Sequence, residues 1–152
     1  MDSQKKLADA GLLVLRLVFG ISLAWLHGRG KLANAAGYVF SGRSWDFVNV
    51  VAGLGFPLPG VFAVAAALAE SIGAALMAIG LAARLGAFFV VFTMTVAISL
   101  HLRAGQSPEL ATLYWTPGLA IVLTGPGRYS LDALLLRKRD PKTTAQAAAA
   151  AN

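Results

Sequence analysis

VFAVAAALAESIGAALMAIGLAA, residues 61–83, holds one ionisable side chain, Glu70, and one polar neighbour, Ser71. A helix needs roughly 20 apolar residues to cross the ~30 Å hydrocarbon core of a bilayer, and this run exceeds that. It reads as a membrane-spanning helix with a carboxylate near its centre. An ionisable group at that depth is costly, so it marks either a functional position or a pairing point between helices.

Working outward, three more apolar runs cover residues 8–27, 85–102 and 110–124. The last is short for a span, so it either borrows residues from Ser107 onward or tilts. The composition agrees with a lipid-solvated chain. Only 13% of the 152 residues are charged, against about 25% in a soluble domain, and mean hydropathy is +0.68. The net charge of +6 would suggest nucleic acid in a soluble protein. Here the basic residues gather at the ends of apolar runs, where anionic headgroups lie, and no nucleic-acid module is present. There is no cysteine, which removes disulfides, thiol relays and iron–sulfur ligation by the chain.

The expected fold is therefore an all-α membrane protein, a four-transmembrane-helix bundle. Residues 1–140 form the single domain, and residues 141–152 are a low-complexity, alanine-rich tail. Lys5, Lys6, Arg84, Arg128, Arg137, Lys138, Arg139 and Lys142 fall on one side of the four spans. Arg29, Lys31, Arg43 and Arg103 fall on the other. The positive-inside rule then places both termini in the cytoplasm and the loop 28–57 outside. In that loop WDFVNVVAGL suits a short interfacial helix, ended by Pro57 and Pro59. Pro117 should kink the fourth span unless a neighbour satisfies the freed carbonyl. Gly125-Pro126-Gly127 stops it, and Ser130 is an N-cap for LDALLLRKR, a short amphipathic helix on the cytoplasmic surface. The first run has features of a signal peptide, with Ala33-Asn34-Ala35 as a cleavage site. Arg16 inside its core and Arg29 and Lys31 before the site favour a retained helix.

Depth along the helices, at about 1.5 Å per residue, suggests a polar axis. Arg16 lies roughly 9–12 Å from the cytoplasmic end, Glu70 roughly 18–20 Å and His27 roughly 25–28 Å. His101 matches the depth of His27, and Tyr114 lies close by on the fourth span. Arg16 has a stem long enough to snorkel across the remaining step of roughly 8 Å to Glu70. Such a pair either holds two helices together or also lines a ligand or proton site. His27 alone also reads as an interfacial histidine, and two histidines at matching depth are a weak signal for a shared haem or metal ion without a third ligand. Ala66, Gly73 and Gly80, seven residues apart, suit close helix packing. No nucleophile elbow, phosphate loop or HExxH motif is present, so no catalytic residue is assigned.

Four segments carry a family resemblance. They are LRLVFGISLAWLHGRGKL (15–32), GFPLPG (55–60), LAESIGAALMAIGLAARLGA (68–87) and TGPGRYSLDALL (124–135). Together they resemble the DoxX family of bacterial cytoplasmic (inner) membrane proteins, over residues 12–135. The resemblance implies a four-helix integral membrane protein. Family relatives include the small subunit of thiosulfate:quinone oxidoreductase and proteins of oxidative-stress defence, and the wider superfamily contains chaperones and cargo receptors. The family's recurrent polar positions fall on Arg16, His27, Lys31, Glu70, Arg84 and residues 125–132.

The function implied is a redox-associated, quinone-linked membrane subunit that works with a soluble or membrane redox partner. The alternative is a non-enzymatic scaffold or assembly factor that recruits a partner protein; either reading is compatible with a homo-oligomer. The expected ligand-binding set is Glu70, Arg16, His27, Tyr114 and His101, with the histidines and Tyr114 bonding quinone carbonyls and Glu70 passing protons.

Overall fold

A computed structural model describes residues 2–139, and the tail expected at 141–152 lies outside the described residues. Every regular element among them is helical. Helix α1 runs as α-helix over Asp2–Ser22, as π-helix over Leu23–Gly28 and again as α-helix over Arg29–Ser41. Helix α2 is Asp46–Gly53. Helix α3 is α-helical over Pro59–Leu68, π-helical over Ala69–Gly73 and α-helical over Ala74–Ile79. Helices α4, α5 and α6 are Ala83–Arg103, Glu109–Thr124 and Leu131–Arg139.

Three of these helices are long and apolar enough to cross a membrane: Ser3–Ser41 of α1, then α3 and α4. Their surfaces are those of a lipid-solvated, multi-pass membrane protein. Only 17% of the most apolar stretch of α1, and 22% of that of α4, is buried against the rest of the chain. Val18, Trp25, Leu26, Phe88 and Leu123 all point outward, which a water-soluble fold of this size does not tolerate as a continuous belt.

Two expectations change here. Residues 28–57 are not mainly loop, because α1 continues to Ser41 before the left-handed Gly42 ends it. Nothing between Gly28 and Ser41 stops a helix; Gly28 packs on the Glu70 backbone and Gly37 on the Arg43 side chain. The fourth apolar run does not borrow from Ser107; α5 begins at Glu109 and stays helical through Pro117 to Thr124.

Helices α4 and α5 form the most extensive pairing, α3 packs on α4, and α1 packs on the second half of α3. One core joins Leu23, Ala74, Val90, Met94, Ala111 and Tyr114, and a second joins Met77, Ala83, Ala87 and Ile121. The two π-helical turns face each other. Gly28 makes that approach possible, because a Cβ there would collide with the Glu70 carbonyl. A π-turn inserts an extra residue into the helical ladder and is common at functional sites. Here it lies where Glu70 enters the interior.

At the opposite end, α6 locks the bundle. Ser130 Oγ accepts from the Ala133 N–H, as the expected N-cap. Asp132 reaches further and accepts from the N–H groups of Ala82 and Ala83 at 2.8 and 3.0 Å. These begin α4, whose own sequence offers no capping side chain. The Asp132 N–H in turn donates to the Gly80 carbonyl at 2.8 Å.

Candidate functional site

Glu70 is buried, 3% exposed, and its partner is Lys31, whose Nζ lies 2.5 Å from Oε1. The antiparallel register explains the pairing. Gly28 of α1 meets Glu70 of α3, and Lys31 lies one turn beyond Gly28 on the same face. The side chain of Lys31 remains 32% exposed, and its ammonium sits 4.8 Å from the centre of the Phe47 ring on α2. One cation therefore touches α1, α2 and α3.

The expected Arg16–Glu70 pair does not form. Arg16 is fully buried and donates to the Tyr129 carbonyl at 2.9 Å and the Ala78 carbonyl at 3.4 Å. In the same register Arg16 lies opposite Ala78, eight residues and so about 12 Å along α3 from Glu70. Its guanidinium turns toward the α3–α4 corner, where carbonyls left over at the end of α3 need donors. Gly80, at φ +78°, provides the room, since a Cβ there would overlap the guanidinium. Arg16 is thus part of the lock around Ser130 and Asp132.

Glu70 and Lys31 line a cavity of about 300 Å³ between α1, α2, α3 and α4. Its walls are largely aromatic and aliphatic: Phe47 and Val51 from α2, Phe62 from α3, Phe89 and Phe92 from α4. His101 lies in the same wall. Its Nδ1 is 2.7 Å from the Ala97 carbonyl oxygen, which can only accept. The proton of the neutral ring therefore sits on Nδ1, and Nε2 is left as an acceptor. Lys31 has three N–H donors, of which the Glu70 contact uses one. The cavity thus combines an apolar slot with a few polar groups, Lys31, Glu70, Thr93 and His101, the usual make-up of a site for a small lipophilic ligand.

Of the sequence-predicted residues, Glu70 and His101 line this cavity, whereas His27, Tyr114 and Arg16 do not. His27 and Tyr114 do come together, with ring centres 5.6 Å apart and nearly edge-on; Phe19 also meets Tyr114 edge-on, at 6.3 Å. Tyr114 is a core residue, 6% exposed. Sequence reasoning about the site missed Lys31, which it placed in an outer loop. The signal was present: Lys31 follows His27 at i+4, in a stretch without a proline. Among the described residues no group of three or more His, Cys, Asp and Glu side chains is arranged to hold a metal ion.

Comparison with known proteins gives two matches. A family model described as DoxX matches residues 11–103. The inner membrane protein YqjF of Escherichia coli (strain K12) is 31% identical over 140 residues, which cover 88% of this chain and 98% of that protein. No solved structure matches.

Proposed function

This chain belongs to the DoxX family, and from that premise we propose that it is a quinone-linked, redox-associated subunit of the bacterial inner membrane. In this reading α5 is the fourth span and both termini are cytoplasmic. The Escherichia coli relative, an inner membrane protein, supports that location.

The observation that carries the reading is the apolar cavity with the Lys31–Glu70 pair in its wall. Its residues fit a quinone. Phe47, Phe62, Phe89 and Phe92 offer ring faces and edges to a flat head, Lys31 offers a donor for a quinone carbonyl, and His101 Nε2, an acceptor in the neutral ring, suits only the hydroxyl of the reduced quinol. When bound, a quinone supplies two-electron, two-proton redox chemistry. The chain's own contribution is to desolvate the head, hold it at Lys31 and present Glu70 and His101 as proton-handling groups beside it. In this reading electrons come from a redox partner protein, and the absence of cysteine separates this chain from relatives that work by thiol chemistry.

Native mass spectrometry of the detergent-purified protein, with solvent extraction of what dissociates, tests this. A stoichiometric quinone is the expected result. Phospholipid alone would move the function to a scaffold whose chemistry lies in its partners.

A further inference from the structure

From the charges in the cavity wall we infer that Lys31 is the ligand-contacting residue and that the site selects a neutral, carbonyl-bearing lipophile and rejects a carboxylate of the same length. This inference rests on the quinone-linked reading but adds a specificity rule and the residues that impose it.

Three observations carry it. First, Lys31 and Glu70 already neutralise one another, with Glu70 buried and Lys31 one-third exposed toward its surroundings. A neutral carbonyl can take a remaining Lys31 N–H without altering that balance. An anionic head at the same ammonium would place two carboxylates around one cation in a site walled by phenylalanine. Like charges at such short range in a poorly solvated site disfavour ionisation of one of them. Second, the cavity of about 300 Å³ is at the small end of the ~300–1,000 Å³ range for ligand pockets, enough for a ring-sized or ester head and not for a long chain. Third, the chain has a way out. Phe89 and Phe92 line the cavity and are each 48% exposed, so the α4 side of the cavity is not covered over by the rest of the chain. The cavity therefore opens sideways into the surrounding apolar belt, where an acyl or isoprenoid tail is at home.

Glu70 acts here through Lys31, as a positioning and charge-balancing residue. Neutralising it should therefore change selectivity and not abolish binding. The roof is built for the same job. Phe47 on α2 holds the free side of the Lys31 ammonium, and an entering carbonyl replaces that contact with a hydrogen bond.

The test is scintillation-proximity binding of a tritiated decyl-benzoquinone to detergent-purified protein at alkaline pH. Palmitate and methyl palmitate serve as competitors that share a tail and differ in charge. In the wild type, methyl palmitate should displace the label at a concentration about tenfold or more below that of palmitate. In Glu70→Gln the label should still bind, and the preference should collapse as palmitate gains. The double variant Lys31→Met with Glu70→Leu removes both charges together, which avoids an orphaned buried ion; it should keep its thermal unfolding profile and lose the label. Equal potency of the two competitors on the wild type, or an unchanged ratio in Glu70→Gln, overturns the inference alone. Failure of the wild type to bind the label at all overturns both this inference and the quinone-linked reading.

Discussion

At the residue scale the two halves of the Lys31–Glu70 pair are not equivalent, and stability should report it. Glu70 has 3% of its surface exposed and a short stem that cannot carry its carboxylate out of the interior. Lys31 is one-third exposed and has a flexible stem. Lys31→Met leaves a buried carboxylate without its cation, a change that costs about 3–5 kcal/mol when one member of a buried pair is removed. Glu70→Leu leaves a lysine free to turn outward, with a loss of no more than ~1–3 kcal/mol. Thermal unfolding of both variants in the same detergent should rank Lys31→Met well below Glu70→Leu; equal losses would mean that the pair is solvated in the native protein. Arg16 makes a separate prediction. Its bonds go to two backbone carbonyls, and its planar donor fork cannot be copied by an ammonium. Arg16→Lys should therefore lower the unfolding temperature nearly as much as Arg16→Met, while leaving quinone retention per folded molecule unchanged.

At the element scale, α6 serves the fold as a clasp. Its first five residues, Leu131 to Leu135, close TGPGRYSLDALL, the most specific of the segments that resemble the DoxX family. The geometry accounts for several of them without any ligand: Gly125 ends α5 at φ +83°, Ser130 caps α6, and Asp132 caps α4. The Arg128 N–H also donates to Asp9 on α1 at 3.0 Å, so the segment touches three helices. Asp132→Ala removes the acceptor for two N–H groups at the start of α4 and should cost about 0.5–2 kcal/mol, the usual value of an N-cap. Asp132→Asn should recover part of it, and a melting series of the two variants checks this. Gly80→Ala should be more severe, since the residue is left-handed and a Cβ has no space beside Arg16 and Ser130. Loss of folded protein on size-exclusion chromatography is the expected outcome, with normal yield the result that would refute the clasp.

At the scale of the whole molecule, α1 is the organising element. Ser3–Ser41 comprises 39 residues, about 58 Å at 1.5 Å per residue, well beyond the ~30 Å of a hydrocarbon core. It crosses the membrane and still projects past it, and α2 folds back on that projecting part through Tyr38, Trp45 and Phe47. The absence of native cysteine makes topology directly measurable with single introduced thiols. Ser41→Cys and Ser107→Cys should react with an impermeant maleimide from outside the cell. Leu136→Cys should react only after the membrane is opened. Labelling of Leu136→Cys together with Ser107→Cys from outside would show that α5, only 16 residues long, does not cross.

What the sequence determined by itself is what depends on composition along one chain. Apolar runs long enough to span a bilayer, the isolated Glu70, the Gly-Pro-Gly stop, the Ser130 cap and the short helix in WDFVNVVAGL are all local or one-dimensional features, set by transfer energy and backbone chemistry. The helical rise also brings His27 and Tyr114 together, whose rings meet at 5.6 Å, but the same depth count put Arg16 within reach of Glu70, and there it fails. The tertiary structure alone decided rotation about the helix axes and register between helices. Gly28 against Glu70 sets that register, and with it Lys31 becomes the partner of Glu70 while Arg16 turns to the opposite end. The continuation of α1 through glycines to Ser41 belongs to the same class. A glycine in isolation weakens a helix, yet here Gly28 allows a close approach of two backbones, a gain that exists only when the second helix is in place.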